Sequence, residues 1–149
     1  INSMIEGIVP LFVHSIKGRD IRLVRNLGQG LPPILVDKHQ IEQILVNLIL
    51  NAVQALPGEG VIEVSTRFEG AWFCIQIADN GYGIPPENVS RIFDPFFTTK
   101  GVGKGTGLGL SVSRGIIERH KGRIDVESQV GNGTVFKVYL PIPSKEAAC

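Results

Sequence analysis

Five neutral amides, Gln40, Gln43, Asn47, Asn51 and Gln54, are spaced along residues 40–56 (QIEQILVNLILNAVQAL). At about 100° per residue they share roughly a quarter of a helix circumference. A carboxamide oxygen can ligate Mg²⁺, and its NH₂ can donate to a phosphate oxygen. A plain solvated face is the competing reading, but such faces usually carry Lys and Glu, and this stripe has neither. Amides in a dry groove need partners. Asp79, in Asp79-Asn80-Gly81, ends the apolar run CIQIAD, so its carboxylate emerges where a strand meets a pocket. An ionised carboxylate only accepts hydrogen bonds, and could therefore read the exocyclic amine of adenine and reject guanine. An Asp capping its own turn is the alternative. Seven of the 18 glycines fall between Gly81 and Gly109, five of them at every second position from Gly101. The run Gly105-Thr106-Gly107-Leu108-Gly109 leads straight into a helix, whose exposed N–H groups attract phosphate. Read alone, such a loop could equally be a flexible linker. It is neither a P-loop, since Gly105 follows Lys104, nor a G-x-G-x-x-G fingerprint.

These residues need a scaffold. Ile41, Leu45, Leu48, Ile49, Ala52 and Leu56 give the amide helix an apolar face wide enough to lie on a sheet, with Val46, Leu50 and Val53 on its flank. Asp37 is placed to cap it, and Pro57, Gly58 and Gly60 to end it. A short helix is expected over 5–16, with Pro10 near its first turn or at a kink. A strand is expected over 20–26 with Ile21, Leu23 and Val24 as inward candidates, and another over 34–36. Alternation predicts hairpins at 61–68 with 71–78 and at 123–128 with 134–140. Pro85 and Pro86 open a brief helix to Ile92. Residues 108–120 form a last helix with Leu108, Val112 and Ile116 on one face, stopped by Gly122. Helices alternating with hairpins make the fold α+β, a mixed sheet with its helices on one face.

Composition narrows the class. With 149 residues, 43% of them hydrophobic, the chain can bury the core of one domain. A net charge of +1 with scattered basic residues disfavours nucleic acid as a partner. The apolar runs fall short of the ~20 residues of a membrane span, so a soluble domain without membrane contact is expected. Cys74 and Cys149 suit neither a disulfide framework nor a metal site, and fit a reducing cytoplasm. Because the chain starts at Ile1, it is read as a piece of a longer protein.

Five motifs then occur together: N-L-I-L-N-A at 47–52, D-N-G-Y-G-I at 79–84, F-D-P-F-F-T-T-K at 93–100, G-T-G-L-G-L at 105–110 and G-N-G-T at 131–134. In this order and spacing the chain resembles the catalytic, ATP-binding domain of sensor histidine kinases, over about residues 19–141. The resemblance implies the two-layer α/β sandwich of the Bergerat type shared with gyrase, Hsp90 and MutL, with a mostly antiparallel mixed sheet. It implies ATP and Mg²⁺ as cofactors. Asn51 would be the principal metal ligand and Asn47 would assist. Asp79 would bind the adenine amine with Thr134 nearby, and Gly81 and Gly83 would let the backbone pass close to the base. Gly105, Thr106, Gly107, Leu108 and Gly109 would cradle phosphates under a lid from Phe93 to Lys104. At least one of Phe93, Phe96 and Phe97 is expected in the core instead. One departure is Gln54, where the family often has a basic residue. Lys100 and Lys104 could supply that charge.

By the same resemblance, residues 1–18 would be a linker from a dimerisation hairpin, 19–143 the catalytic domain and 144–149 a disordered tail. The partners implied are the protein's own phospho-acceptor hairpin, outside this chain, and indirectly a response regulator receiver domain. The parent could be membrane-anchored with this part in the cytoplasm. None of His14, His39 and His120 has the context of a phosphate-accepting histidine. A hydrolase of the same fold, using a Glu four residues before the metal-binding Asn, is the runner-up, but Asn47 stands in that place and has no useful proton affinity. A nucleotide-sensing module and an anti-sigma type serine kinase are the remaining alternatives.

Overall fold

The structure, a computed structural model, describes residues 1–97 and 109–143. Lys100, Lys104, Gly105, Thr106, Gly107, Leu108 and the tail 144–149 lie outside the described residues. The elements in order are α1 (Asn2–Ile8), a 3₁₀ turn (Val9–Phe12), α2 (Val13–Ile16), β1 (Asp20–Leu27), α3 (Lys38–Gln54), β2 (Glu59–Glu69), β3 (Trp72–Asp79), α4 (Pro86–Val89), α5 (Gly109–Arg119), β4 (Arg123–Gln129) and β5 (Gly133–Pro141). The expected single helix over 5–16 is thus divided, because Pro10 has no N–H to donate and the chain tightens into a 3₁₀ turn around it.

The sheet order is β1-β2-β3-β5-β4. Among the described strands β1 and β2 pair in parallel, with α3 as the crossover between them, and the other pairs are antiparallel. One sheet face, with Ile62, Val64, Phe73, Ile75, Ile77, Phe136, Val138 and Leu140, is buried against the helices. Alpha helix α3 supplies Ile41, Ile44, Leu45, Leu48, Ile49, Ala52 and Val53 to that layer, and α1 adds Ile5 and Ile8. The other face carries the ion pairs Arg67–Glu69, Lys137–Glu127 and Arg123–Asp125, with Arg123 stacked against Tyr139 and Trp72. Arginine stems and heads suit that half-wet layer.

The structure departs from three local expectations. Residues 34–36 form no strand, although Ile34 and Val36 pack against the core while Leu35 is 90% exposed. The in-out-in pattern is there, but a strand also needs a ladder partner, and among the described residues none pairs with it. On α5 the buried residues are Ser113, Ile116 and Ile117, whereas Val112 is exposed. The helix turns a small polar side chain toward α3, where a valine would meet the amide of Asn47. In β1, Ile21 and Leu23 join the core, while Val24, out of phase with them, does not.

Candidate functional site

Helix α3 begins at Asp37, whose Oδ1 accepts from the Gln40 N–H at 3.1 Å. The Asp37 N–H in turn donates to His120 Nε2 at 3.1 Å. That bond makes Nε2 the acceptor, so Nδ1 carries the proton and donates to the Ile116 carbonyl, 2.9 Å away. The start of α3 is thereby tied to the end of α5. Nearer the other end of α5, Asn47 Nδ2 donates to the Gly109 carbonyl and to Ser113 Oγ, each at 3.2 Å. The two helices lie side by side in opposite directions, and α5 starts beside the amide stripe.

Of that stripe, Asn47 and Asn51 are half-buried and Gln43 and Gln54 exposed. Among the described residues nothing hydrogen-bonds the Asn51 carboxamide, which leaves both its oxygen and its NH₂ for a ligand. One turn beyond Asn51 is Ala55, and its carbonyl accepts from the Tyr82 N–H at 3.0 Å. Asn47, Asn51 and Ala55 therefore form one row on α3, spanning about 12 Å from the start of α5 to the turn that follows β3.

That turn holds Asp79, 9% exposed, whose Oδ1 accepts from the Gly81 N–H at 2.9 Å. The self-capping role open from the sequence is therefore present. Burial pushes the Asp79 carboxyl above its ordinary value, while the backbone N–H groups of Gly81 and Thr134 pull the other way. Among the described residues no cation pairs with it. Asn80 turns away, its Oδ1 accepting from the Val61 N–H at 2.8 Å.

The glycines of this region are crowded by backbone. A Cβ on Gly81 would lie 2.1 Å from the Ala55 carbonyl oxygen, and one on Gly83 would lie 2.2 Å from that of Gln129. At Gly133 it would lie 1.9 Å from the Asp79 carbonyl, at a φ of +99°. These contacts hold the turn against α3 on one side and the β4–β5 hairpin on the other. Gly109 differs, since a Cβ there would meet Asn47 only at ordinary contact distance.

Thr134 is opposite Asp79 in the sheet register and 4% exposed. Ser128 donates to the Gly133 carbonyl at 2.9 Å and accepts from the Ile84 N–H at 2.7 Å. Its single proton being spent, it is Thr134 that donates to it across 2.8 Å. Thr134 Oγ1 keeps acceptor capacity on the Asp79 side of the hairpin. Ser113, Ser128 and His120 were not candidates from the sequence. A Ser on a helix face with two Ile neighbours is the signal that could have found Ser113. Nothing local marks Ser128 or His120.

Of the aromatics at 93–97, Phe93 joins the core edge-on to Phe136, under Arg114. Phe97 lies under Arg91, and Phe96 is 73% exposed at a φ of 68°. The structure thus links Asn47 to Gly109, Ala55 to the Gly81-Tyr82 turn, and Asp79 to Gly81 and Thr134, with Asn51 between Asn47 and Ala55 on α3. Among the described residues no three carboxylate, His or Cys side chains cluster to hold a metal, and no helix is long and apolar enough to cross a membrane.

Residues 36–144 match the family model described as histidine kinase-, DNA gyrase B- and HSP90-like ATPase. The sensor histidine kinase ZraS of Escherichia coli strain K12 is 40% identical over 142 residues, which is 95% of this chain and 30% of that protein. The catalytic domain of histidine kinase ThkA, in a nucleotide-free form, superposes with a TM-score of 0.84 at 34% identity, covering 95% of this chain and 91% of that one. ThkA in complex with the response regulator TrrA gives a TM-score of 0.80 at 31% identity, over 96% of this chain and 40% of that one. The chain thus spans less than a third of the length of ZraS.

Proposed function

The chain belongs to the histidine kinase-, DNA gyrase B- and HSP90-like ATPase family, among its histidine kinase catalytic domains, and on that premise we propose that it binds Mg²⁺–ATP and delivers the γ-phosphate to a histidine on a separate acceptor hairpin. The observation that carries this reading is the row Asn47, Asn51, Ala55. It places two amides between a helix start suited to phosphate and a buried acid suited to an exocyclic amine. Asp79 would accept from the adenine amine, and the acceptor lone pair of Thr134 would serve the same edge through water.

The donor set fits Mg²⁺ only together with the nucleotide. Two neutral amide oxygens carry no charge, so the triphosphate must supply the anionic ligands, as is usual for this cation. Asn51 and Asn47 would hold it, and it would neutralise charge developing on the phosphate oxygens. In the transfer, an imidazole nitrogen of the acceptor bonds to the γ-phosphorus, the bond to the β–γ bridging oxygen breaks, and ADP leaves. The chain's own part is positioning and charge stabilisation. Asn47, lacking a basic atom, gives water no general base, which favours transfer over hydrolysis.

Lys100 and Lys104 would add positive charge at the phosphates, and Gly105, Thr106, Gly107, Leu108 and Gly109 would cradle them. The proposal extends to a cytoplasmic setting, to residues 1–18 as the link to the hairpin, and to a response regulator as the next acceptor. The test is incubation with γ-labelled ATP. The chain alone should stay unlabelled and release phosphate slowly, and adding the purified hairpin of its parent should label that hairpin on histidine. Asn51→Asp, which sets a negative charge beside the triphosphate where the native chain has a neutral amide, should abolish labelling while its melt stays cooperative and within a few degrees. Label on the chain itself, fast phosphate release without acceptor, or an active Asn51→Asp would sink the proposal.

A further inference from the structure

Asn47 and Asn51 are one turn apart, but among the described residues only the Asn47 amide is held by other groups of the chain. Its Nδ2 has two protons and two acceptors on α5, the Gly109 carbonyl and Ser113 Oγ. A flipped amide would set Oδ1 against the Gly109 carbonyl oxygen, two acceptors with no proton between them. The amide therefore has one orientation, with its oxygen turned off the α5 backbone. Ser113 is fully buried, and among the described residues the Asn47 amide is its only side-chain partner. A buried hydroxyl is costly unless paired, so an alanine or valine would serve mere helix contact better. The hydroxyl answers to Asn47.

Resting on the assignment of Asn47 to the metal side of the nucleotide, the geometry points to Ser113 as a positioning residue that fixes the Asn47 carboxamide so that its oxygen faces the divalent cation. Ser113 touches neither nucleotide nor metal. The Gly109 carbonyl already excludes the flip; Ser113 acts through the second Asn47 N–H, holding the amide plane against tilting about the first bond. Groups that orient metal ligands in this way typically change metal affinity by about 10- to 100-fold when removed.

Calorimetry on the 149-residue chain with a non-hydrolysable ATP analogue, in Mg²⁺ and again in EDTA, separates the metal-dependent gain in affinity from the rest. Ser113→Ala should cut that gain about tenfold and leave the metal-free affinity unchanged, and Ser113→Thr, which keeps the hydroxyl, should retain most of it. A readout without any ligand is the Asn47 side-chain amide in a ¹⁵N spectrum. Both protons should exchange slowly in the native chain, and one should become fast in Ser113→Ala. An undiminished metal-dependent gain in Ser113→Ala overturns the assignment, as does an equal loss with and without metal, which would make Ser113 a packing residue. Should Ser113→Ala not fold, fast exchange of both Asn47 protons in the native chain overturns it equally. A native chain that binds no nucleotide would defeat the functional proposal, and the exchange measurement would still decide the Ser113–Asn47 link.

Discussion

Replacing Asp79 by Asn changes one atom of a 9%-exposed side chain and keeps its shape. The Gly81 N–H, 2.9 Å from Asp79 Oδ1, can still donate to an Asn Oδ1, so the turn over α3 should survive. Asp79→Ala would orphan that N–H and confound binding with folding. With Asn, an NH₂ replaces a carboxylate oxygen before a donor amine. The lost charge-assisted bond is worth about 1.5–3 kcal/mol, or roughly 10- to 150-fold in Kd. The adenine-over-guanine preference should vanish with it. Burial holds the Asp79 carboxyl above its ordinary 3.8, so between 3.8 and its folded value the native chain keeps a proton that the unfolded chain has released. This group's contribution to stability therefore falls as pH rises through that window, and Asp79→Asn should flatten the slope there. Nucleotide affinity should have the opposite dependence: if Asp79 reads the adenine amine, it must be ionised to do so, and binding should weaken as pH falls through the folded value. Calorimetry with ATP and GTP, and melts across acid pH, measure both. If Asp79→Asn binds ATP as the native chain does, the assignment of Asp79 is wrong; if its acid-pH melting curve keeps the native slope, burial does not hold this carboxyl above its ordinary value.

Gly133→Ala would drive a Cβ to 1.9 Å from the Asp79 carbonyl at a φ of +99°, and neither backbone can yield far. A loss of about 2–4 kcal/mol, or a Tm lower by roughly 5–15 °C, is expected, and an unchanged melt would show that the β4–β5 turn is not held so tightly. His120→Ala removes the acceptor of the Asp37 N–H and the donor to Ile116. It should cost about 1–3 kcal/mol and speed hydrogen exchange at the Asp37 amide, so native-like exchange there would discount the helix clamp.

Much of the frame is local and could be read directly. The 3.6-residue rhythm of α3, its Asp37 cap, both hairpins and the mixed sheet follow from side-chain period and turn chemistry within a few residues of each other. The Asp79 turn was legible for the same reason, as an apolar strand broken by Asp-Asn-Gly. The triplet 34–36 shows where this ends. Its alternation is real, since Ile34 and Val36 pack inward, but pairing is a property of two chains and no ladder forms.

What folding alone decided is which partner each polar group finds. Asp37 meets His120 from 83 residues away, and Asn47 meets Ser113 from 66. No periodicity within either segment encodes those distances. The same holds for the glycines: the resemblance gives Gly81 a role beside the base, and only the folded chain shows that the Ala55 carbonyl stands where its Cβ would go. Sequence pattern fixes which face of an element is apolar, because water is everywhere the same. It does not fix which hydrogen-bond donor stands before which acceptor, because that depends on how two buried faces are brought into register, and this is settled only when the core closes.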